Sequence, residues 1–550
     1  MATIHERLFG VKAPPCGKVW FIITHMTLNG QSANRQIARA AGTVMLAFIA
    51  SNLVGLVRQI LMAGAFGTQA GIDAFSAANR VSETLFNLVA GGALASAFIP
   101  TFTALLTRGD RQRAWQLASA IANLIILVLV LACILAAVFA PWIVSNILAP
   151  GFASDPEKEA LTISLLRIML PSAVLFGLSG LVMGILNSNR IFFWPAFAPA
   201  MYQVGIIIGI VVLAPTWGIY GLAIGVLLGS ALHLVLQLPS LWRLKGNFYP
   251  TMGWDSPDVY EVARLMAPRL LGVAVVQLNF WINTRLASQF VEGSVIALVL
   301  AFSLMLMPQA AIAQSIAIAA MPTLSAQVAL GKLNEMRLSL AASLRGALLL
   351  SIPAMVGLIL LRRPVIVLLY QRGKFDSTST ELVAWALLWF VAGLVGHTFV
   401  EILSRAFYSL HDTRTPVLIG IAAMSLNVLF SYGFSALFFR LGWLPHGGLA
   451  LANSLATGLE AGGLFWLMRR RLNGLNGRMI LDGMVKAILA TLAMWLSLWV
   501  WLTWTQGKAA WLVVGGGIVI GVVVFTASIA VLGVSEFKIV LGALKRRFAG

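Results

Sequence analysis

Charge is scarce in this chain. Only 10% of its 550 residues are Asp, Glu, Lys or Arg, and 59% are hydrophobic; a soluble domain carries about 25% charged residues. That excludes a soluble globular protein and points to a polytopic membrane protein, whose domains are helical lobes. Acids are scarcer than bases, 19 against 38, which leaves a net charge of +19. The cations lie mostly in short loops, where they set membrane topology, and no soluble basic domain exists to hold nucleic acid. The two cysteines, Cys16 and Cys133, are too few for a disulfide framework or a Cys-based metal site. The six histidines are scattered, and there is no Walker loop, HExxH or paired Cys/His set. An enzyme, an ATP-driven pump and a metal centre are therefore not expected; energy for transport comes from gradients of ions, potential or substrate. Residues 1–36 lack a signal-peptide core, since their longest apolar run (19–23) falls short of about 7 residues. They read as a basic cytoplasmic tail, with Met26 as an alternative start.

Apolar runs fill the rest. Taking about 20 apolar residues per crossing, fourteen spans are expected at 37–62, 74–104, 116–148, 160–187, 192–214, 218–242, 260–290, 294–328, 338–370, 380–410, 415–439, 447–468, 482–504 and 510–532. Pro100, Pro171, Pro268, Pro308 and Pro353 are candidate kinks. Alternate loops are basic (Arg108, Arg111 and Arg113; Arg190; Arg243 and Lys245; Lys332 and Arg337; Arg414; Arg469 to Arg471) and the others are acidic or neutral. Both termini are thus expected in the cytoplasm. Arg362, Arg363, Arg372 and Lys374 break that pattern on the outer side, so either their loop is functional or a boundary is misplaced.

The spans repeat. "FIPTFTALLTRGDRQRAWQLASAIANLIIL" resembles "AMPTLSAQVALGKLNEMRLSLAASLRGALLL", with Pro100 and Pro322 at an offset of 222; "YGLAIG" and "GGLALA" follow at an offset of 227. Six spans separate the copies, so the halves run parallel, as in transporters whose substrate site lies between two repeats. The expected fold is all-α: an N-lobe (37–245), a C-lobe (246–478), an extra helical pair (479–535) and a basic tail (536–550).

A few charges sit where lipid disfavours them, and each is a candidate site. Arg58 is either an anion ligand, since guanidinium fits phosphate bidentately, or a cation snorkelling to the interface. Asp73, Arg80 and Glu83 share one helical face; Arg80–Glu83 reads equally as a structural pair and Asp73 as an N-cap. Arg269, Gln277, Asn279, Asn283 and Arg285 lie in the seventh span, and Arg269 and Asn283 fall roughly on one face. Glu401 and Arg405 are spaced i,i+4, as an internal salt bridge would be. Asn427, Ser431, Asn453 and Ser454 read as packing contacts before cation ligands. Together the charges suggest an arginine-rich polar cavity.

These motifs have a known counterpart. "SNLVGLVRQILMAGAFGTQAGIDAF", "GGALASAFIP", "LLYQRGKF" and "RAFYSLHDTRTPV" resemble the MurJ (MviN) lipid II flippases of the MOP exporter superfamily, over about residues 37–535. The resemblance implies alternating access between two lobes with a cationic cavity, in the bacterial cytoplasmic membrane, and a lipid-tail groove on the last two spans. It implies lipid II, an undecaprenyl-pyrophosphate glycan, as cargo, membrane lipids and the peptidoglycan synthesis machinery as partners, and no cofactor beyond a candidate monovalent cation such as sodium. Arg58 and Asp73 fall on charged family positions. Family arginines are replaced at Asn52, Phe86 and Ser303, and a family cation at Glu401. The sodium-site carboxylates become Asn283 and Ser431, leaving Arg80, Arg269, Arg285 and Arg405 to restore the lost positive charge. The rival readings are a flippase for another undecaprenyl-linked glycan, a small-molecule antiporter and a non-transporting scaffold.

Overall fold

The structure is a computed structural model that describes residues 47, 50–89 and 93–534; among a few other side chains within them, those of Phe86 and Arg269 are not described. All regular structure among the described residues is helical. The first half comprises α1 (Ala50–Phe66), α2 (Ala70–Val89), α3 (Ala93–Thr107), α4 (Arg111–Val138), α5 (Pro156–Met169), α6 (Pro171–Ser188), α7 (Phe193–Ile208) and α8 (Ile219–Val235). The second half comprises α9 (Pro257–Ala287), α10 (Ser294–Gln309), α11 (Ser315–Ala329), α12 (Leu333–Tyr370), α13 (Ser377–Ala392), α14 (Leu394–Ser409), α15 (Arg414–Arg440) and α16 (His446–Arg471). The chain closes with α17 (Gly477–Trp504) and α18 (Ala510–Val531).

Among the described residues, nine helical stretches are long and apolar enough to cross a membrane. The number rises to eleven when two pairs bent by 45°, one inside α9 and the other α13 with α14, each count as one crossing. Of the remaining expected spans, 37–62 lies partly outside the described residues, 74–104 is divided between α2 and α3, and α16 is interrupted by polar Asn453, Ser454 and Glu460.

Local sequence sets where helices start and break. Asp110, Asp155 and Asp376 cap α4, α5 and α13, accepting from the backbone N–H of Arg113 (3.1 Å), Lys158 (3.1 Å) and Ser379 (2.8 Å), which meets donors that a helix start leaves unpaired. Pro171, lacking an N–H, starts α6 directly after α5. Pro308 precedes a wide turn at 310–314. The kink expected at Pro353 is not a break: α12 runs unbroken through both Pro353 and Pro364.

In the "HDTRTPV" motif, Asp412 accepts from Thr415 N (3.0 Å) and Thr415 Oγ1 (2.8 Å) and pairs with Arg471 at the end of α16. The backbone N–H of Thr415 first, then its hydroxyl and Arg471, hold the Asp412 carboxyl below the usual carboxylate range. A lowered folded-state value stabilises above the unfolded value of about 3.9 and is lost as pH falls through the folded one. Acid unfolding of purified Asp412→Asn should therefore lack a step below about pH 4 that the parent shows; superimposable curves would remove this role.

The buried side chains fall into three apolar clusters. One joins both halves, from Met62, Phe75 and Leu165 to Ile296, Ile366 and Leu387. A second is built mainly from the first half (Phe98, Leu117, Ile185) and takes in Val259 and Val262 from the start of α9. The third unites the second half with the extra pair (Leu340, Leu403, Ala487, Ile529). The halves thus share one core at one end, while at the end carrying Arg108, Arg113 and Lys332 there are two cores, and the start of α9 crosses to the first half through Val262 and the Arg113–Asp258 pair. Burial of apolar area drives each assembly at roughly 25 cal/mol per Å2, so the joined end is where the two halves adhere.

The extra pair is fastened by charge as well as packing. Arg345 in α12, only 7% exposed, pairs with Asp482 of α17 at 3.2 Å, and Lys486 reaches the same carboxylate at 3.1 Å.

Candidate functional site

The joined end is built largely from backbone. Lys374 N donates to Gly64 O at 2.9 Å, which brings the "LLYQRGKF" loop onto the end of α1. Gly67 has φ of +62°, and a Cβ there would run into the Lys374 carbonyl; glycine alone adopts that conformation freely. Thr68 Oγ1 lies 2.8 Å from Ser379 Oγ, and Gly151 N donates to Ser288 Oγ at 3.2 Å. Arg285 donates to the Asn146 carbonyl, so its guanidinium ties the end of α9 to the first half. Three of the cations that broke the sequence pattern are engaged locally. Arg363 pairs with Glu381 at 2.6 Å, Arg362 Nη1 donates to Ile359 O at 2.6 Å, and Arg372 Nη2 donates to Leu368 O at 2.9 Å.

Asp73 is the polar centre of this end. It is 1% exposed. Its carboxylate accepts from Gly293 N (2.7 Å) and Ile296 N (3.0 Å) and pairs with Lys158 Nζ (3.3 Å). It therefore caps a helix, but α10 across the interface rather than its own α2. The α10 N-terminus favours a negative charge, and Lys158 neutralises it. Lys158 also stands 4.2 Å from the Phe152 ring centroid.

A second polar group sits where α1, α2, α7 and α9 approach. Arg80 Nη1 donates to Glu83 Oε2 at 2.9 Å, Asn79 Nδ2 donates to Glu83 Oε1 at 2.8 Å, and the guanidinium lies 5.0 Å from the Phe280 ring centroid. On α7, Gln203 faces Gly55 of α1, and Tyr202 beside it packs edge-on against Phe176 with ring centroids 4.9 Å apart. Tyr370 donates to Gln59 Oε1 at 3.1 Å. Thr84 joins α2 to α9, donating to Gln277 Oε1 (3.3 Å) and accepting from Trp281 Nε1 (2.8 Å). Arg58 and Arg80 each keep a buried Nε with no hydrogen-bond partner among the described residues. Buried donors are normally paired, so both guanidiniums retain capacity for an acceptor.

Glu401 and Arg405 pair with each other on α14 at 2.8 Å, apart from the Arg58–Arg80 group. The candidate cation ligands divide. Asn283, Asn427 and Ser431 join α9 to α15: Ser431 Oγ contacts Asn283 Oδ1 (3.1 Å) and Asn427 Oδ1 (3.0 Å), and Asn283 Nδ2 donates to Asn279 Oδ1 (3.1 Å). Asn453 instead meets His397 Nε2 (3.2 Å), and Ser454 donates to the Trp389 carbonyl (2.6 Å). No carboxylate enters this set, so it offers a cation only neutral oxygens already engaged with one another.

Sequence reasoning passed over Lys158, Arg345, Glu460, Tyr202 and Tyr370. The test that singled out Arg58, a charge within an apolar run, applies equally to Arg345 in "ASLRGALLL" and Glu460 in "ATGLEAGGL". Lys158 carries a weaker signal, as the one cation between Glu157 and Glu159. The tyrosines carry none, because an aromatic residue in an apolar run is unremarkable.

A family model described as lipid II flippase MurJ matches residues 62–515. A lipid II flippase MurJ of Burkholderia cenocepacia is 32% identical over 441 residues, covering 79% of this chain and 84% of the relative. A probable lipid II flippase MurJ of Vibrio cholerae is 29% identical over 524 residues, covering 92% and 97%. Among solved structures, lipid II flippase MurJ in an inward closed conformation matches with a TM-score of 0.77 at 26% identity, over 89% of this chain and 98% of that one. A multidrug MATE transporter of the MOP superfamily, inward-facing, shares the fold with a TM-score of 0.62 at 17% identity, over 78% and 96%.

Proposed function

The chain belongs to the lipid II flippase MurJ family, and from that premise we propose that it carries lipid II across the membrane, as a transporter and not an enzyme. The observation that supports this most is the arrangement of the cores: one joined end, two separate cores at the other end, and between them guanidiniums with unused donors. By the positive-inside bias the separated end faces the cytoplasm, with both termini. The finer reading is fourteen spans in two parallel lobes plus the extra pair, whose outer surface would carry the isoprenoid tail.

In this reading the diphosphate enters from the cytoplasmic side and meets Arg58 and Arg80. Arg80 is held ready by Glu83 and the Phe280 face, and Arg58 precedes Gln59, which accepts from Tyr370. A diphosphate supplies the acceptors that the two Nε atoms lack, through charge-assisted hydrogen bonds. Neutralised guanidiniums can then be enclosed without leaving unpaired buried charge, so bound substrate favours the closed arrangement over the open one. Opening the outer end requires Asp73 to leave the α10 N-terminus. Arg285 works in the outer seal in this scheme, Arg269 and Arg405 remain candidate ligands, and Glu401 is Arg405's partner. Sodium is not given a role at Asn283, Asn427 and Ser431, because a neutral, mutually bonded set fits it poorly.

The test is Arg58→Gln with Arg80→Gln. A hydrogen bond to a charged group contributes about 1.5–3 kcal/mol, so losing two should lower lipid II flipping in proteoliposomes at least about 100-fold and abolish complementation of a flippase-depleted strain. Flipping within a few-fold of the parent would overturn the assignment.

A further inference from the structure

Glu460 lies within α16, inside the second half, and no hydrogen bond or ion pair reaches it from any described residue. A carboxylate among apolar helices is costly as an unpaired anion and far less so as a neutral acid. Its surroundings come from two helices. On α14, His397, Glu401, Arg405 and Tyr408 follow at helical spacing and form one stripe. On α16, Asn453, Thr457 and Glu460 form another. The stripes meet at His397 Nε2 and Asn453 Oδ1, 3.2 Å apart, and Glu401 and Arg405 follow His397 along α14 as Thr457 and Glu460 follow Asn453 along α16. The other helices packed on α16 add no partner. α15 faces Glu460 at Gly420, where a Cβ would stand 3.4 Å from Oε1. The one charged residue of α13, Glu381, is paired to Arg363 at the helix start, and α10 has no ionisable side chain.

The seam therefore holds two carboxylates and one guanidinium. Arg405 gives Nη2 to Glu401 at 2.8 Å, and its Nη1 is buried without a partner. The internal repeat shows that this is not a general packing solution. The offset of 222 that relates Pro100 to Pro322 relates Ser179 to Glu401, and the offset of 227 that relates Tyr220 to Gly447 relates His233 to Glu460. In the first half, Ser179 Oγ and His233 Nδ1 lie 2.6 Å apart, and Gln237 Nε2 donates to Ser179 Oγ at 2.7 Å. All three are buried, and they form a closed polar cluster without a carboxylate. The second half has acids at both equivalent places and one arginine between them.

We propose that Glu460 is a proton-binding site. With Arg405 turned to Glu401, as here, Glu460 holds a proton. When Nη1 of Arg405 engages Glu460, the carboxyl releases that proton to water and the guanidinium bridges both acids. A proton suits the seam better than a metal cation, because Arg405 would repel a second fixed positive charge. As an energy input to transport, the site rests on the flippase reading; as a proton site, it does not.

Two measurements separate these. Infrared difference spectra of the protein in lipid nanodiscs, without substrate, between about pH 5 and pH 9, should show the carbonyl stretch of one titrating carboxylic acid. Glu460→Gln should lack that band, and Glu460→Asp should keep a titrating band, which guards against a merely misfolded variant. Identical spectra for the parent and Glu460→Gln overturn the proposal. In proteoliposomes, an imposed pH gradient should change lipid II flipping several-fold in the parent and leave Glu460→Gln unaffected, with no response to an equal sodium gradient. If flipping is absent while the infrared band titrates, the flippase reading fails and the proton site stands. If the sodium gradient drives flipping through Glu460, the ligand is a metal cation and the proton assignment is overturned.

Discussion

Asp73→Ala is expected to abolish complementation of a flippase-depleted strain and to lower the stability of the purified protein by about 3–5 kcal/mol, the usual cost of stripping one partner from a buried ion pair. The cost arises because Lys158, with a side chain 9% exposed, keeps its charge and loses its counterion. The N–H groups of Gly293 and Ile296 also lose their acceptor, which adds unmet buried donors. Adding Lys158→Met removes the stranded ammonium, so the double variant should unfold closer to the parent than the single one, by non-additivity of contacting residues. It should still fail to complement, because α10 stays uncapped at the interface between the halves. Thermal unfolding of the three proteins in one detergent checks this; a single variant as stable and active as the parent would show that Asp73 is dispensable.

Gly67→Val should act on the balance between states as well as on the turn that closes α1. Its φ of +62° is strained for a β-branched residue, by about 1–3 kcal/mol. The added Cβ also meets the Lys374 carbonyl, and that contact exists only while the outer ends are joined. The clash therefore falls on the joined state alone, whereas the φ strain belongs to the turn that closes α1 in either state; a clash of about 3 kcal/mol corresponds to roughly a 150-fold shift. With Ser379→Cys as reporter, 3% exposed in this state, labelling by a membrane-impermeant maleimide should accelerate by tenfold or more when Gly67→Val is added. An unchanged rate would mean that the "LLYQRGKF" loop is not part of the seal.

What could be read from sequence was whatever is local. Helical spans follow from apolar runs, and Arg80–Glu83 and Glu401–Arg405 pair at the spacings that one helix allows. Pro171 and Pro308 sit where helices start or widen, whereas α12 runs unbroken through Pro353, since neighbouring helices and side chains can satisfy the carbonyl that a proline leaves free. The partners of Asp73 were not legible: Lys158 lies on α5 and the two N–H groups on α10, and no pattern within α2 refers to either. The same holds for Arg285, which reads as a cavity charge by composition and in three dimensions ties α9 to the Asn146 carbonyl. The resemblance already paired Asn283 with Ser431, and packing of α9 on α15 brings Asn427 to them. Arg345 and Glu460 were legible by the same rule that found Arg58, and were passed over for want of a motif around them.

The fastening of α17 to α12 through Arg345, Asp482 and Lys486 has a mechanical consequence. The last two helices share the apolar core of the second half, so any tilt of that half in the proposed cycle would carry them with it as a rigid wing. A wing that swings within the bilayer displaces lipid and changes the protein's cross-section and its hydrophobic height. Each such change costs fractions of a kcal/mol per Å of mismatch. Bilayer thickness and lateral tension thus become loads on the cycle, and the lipid around the protein sets part of its speed.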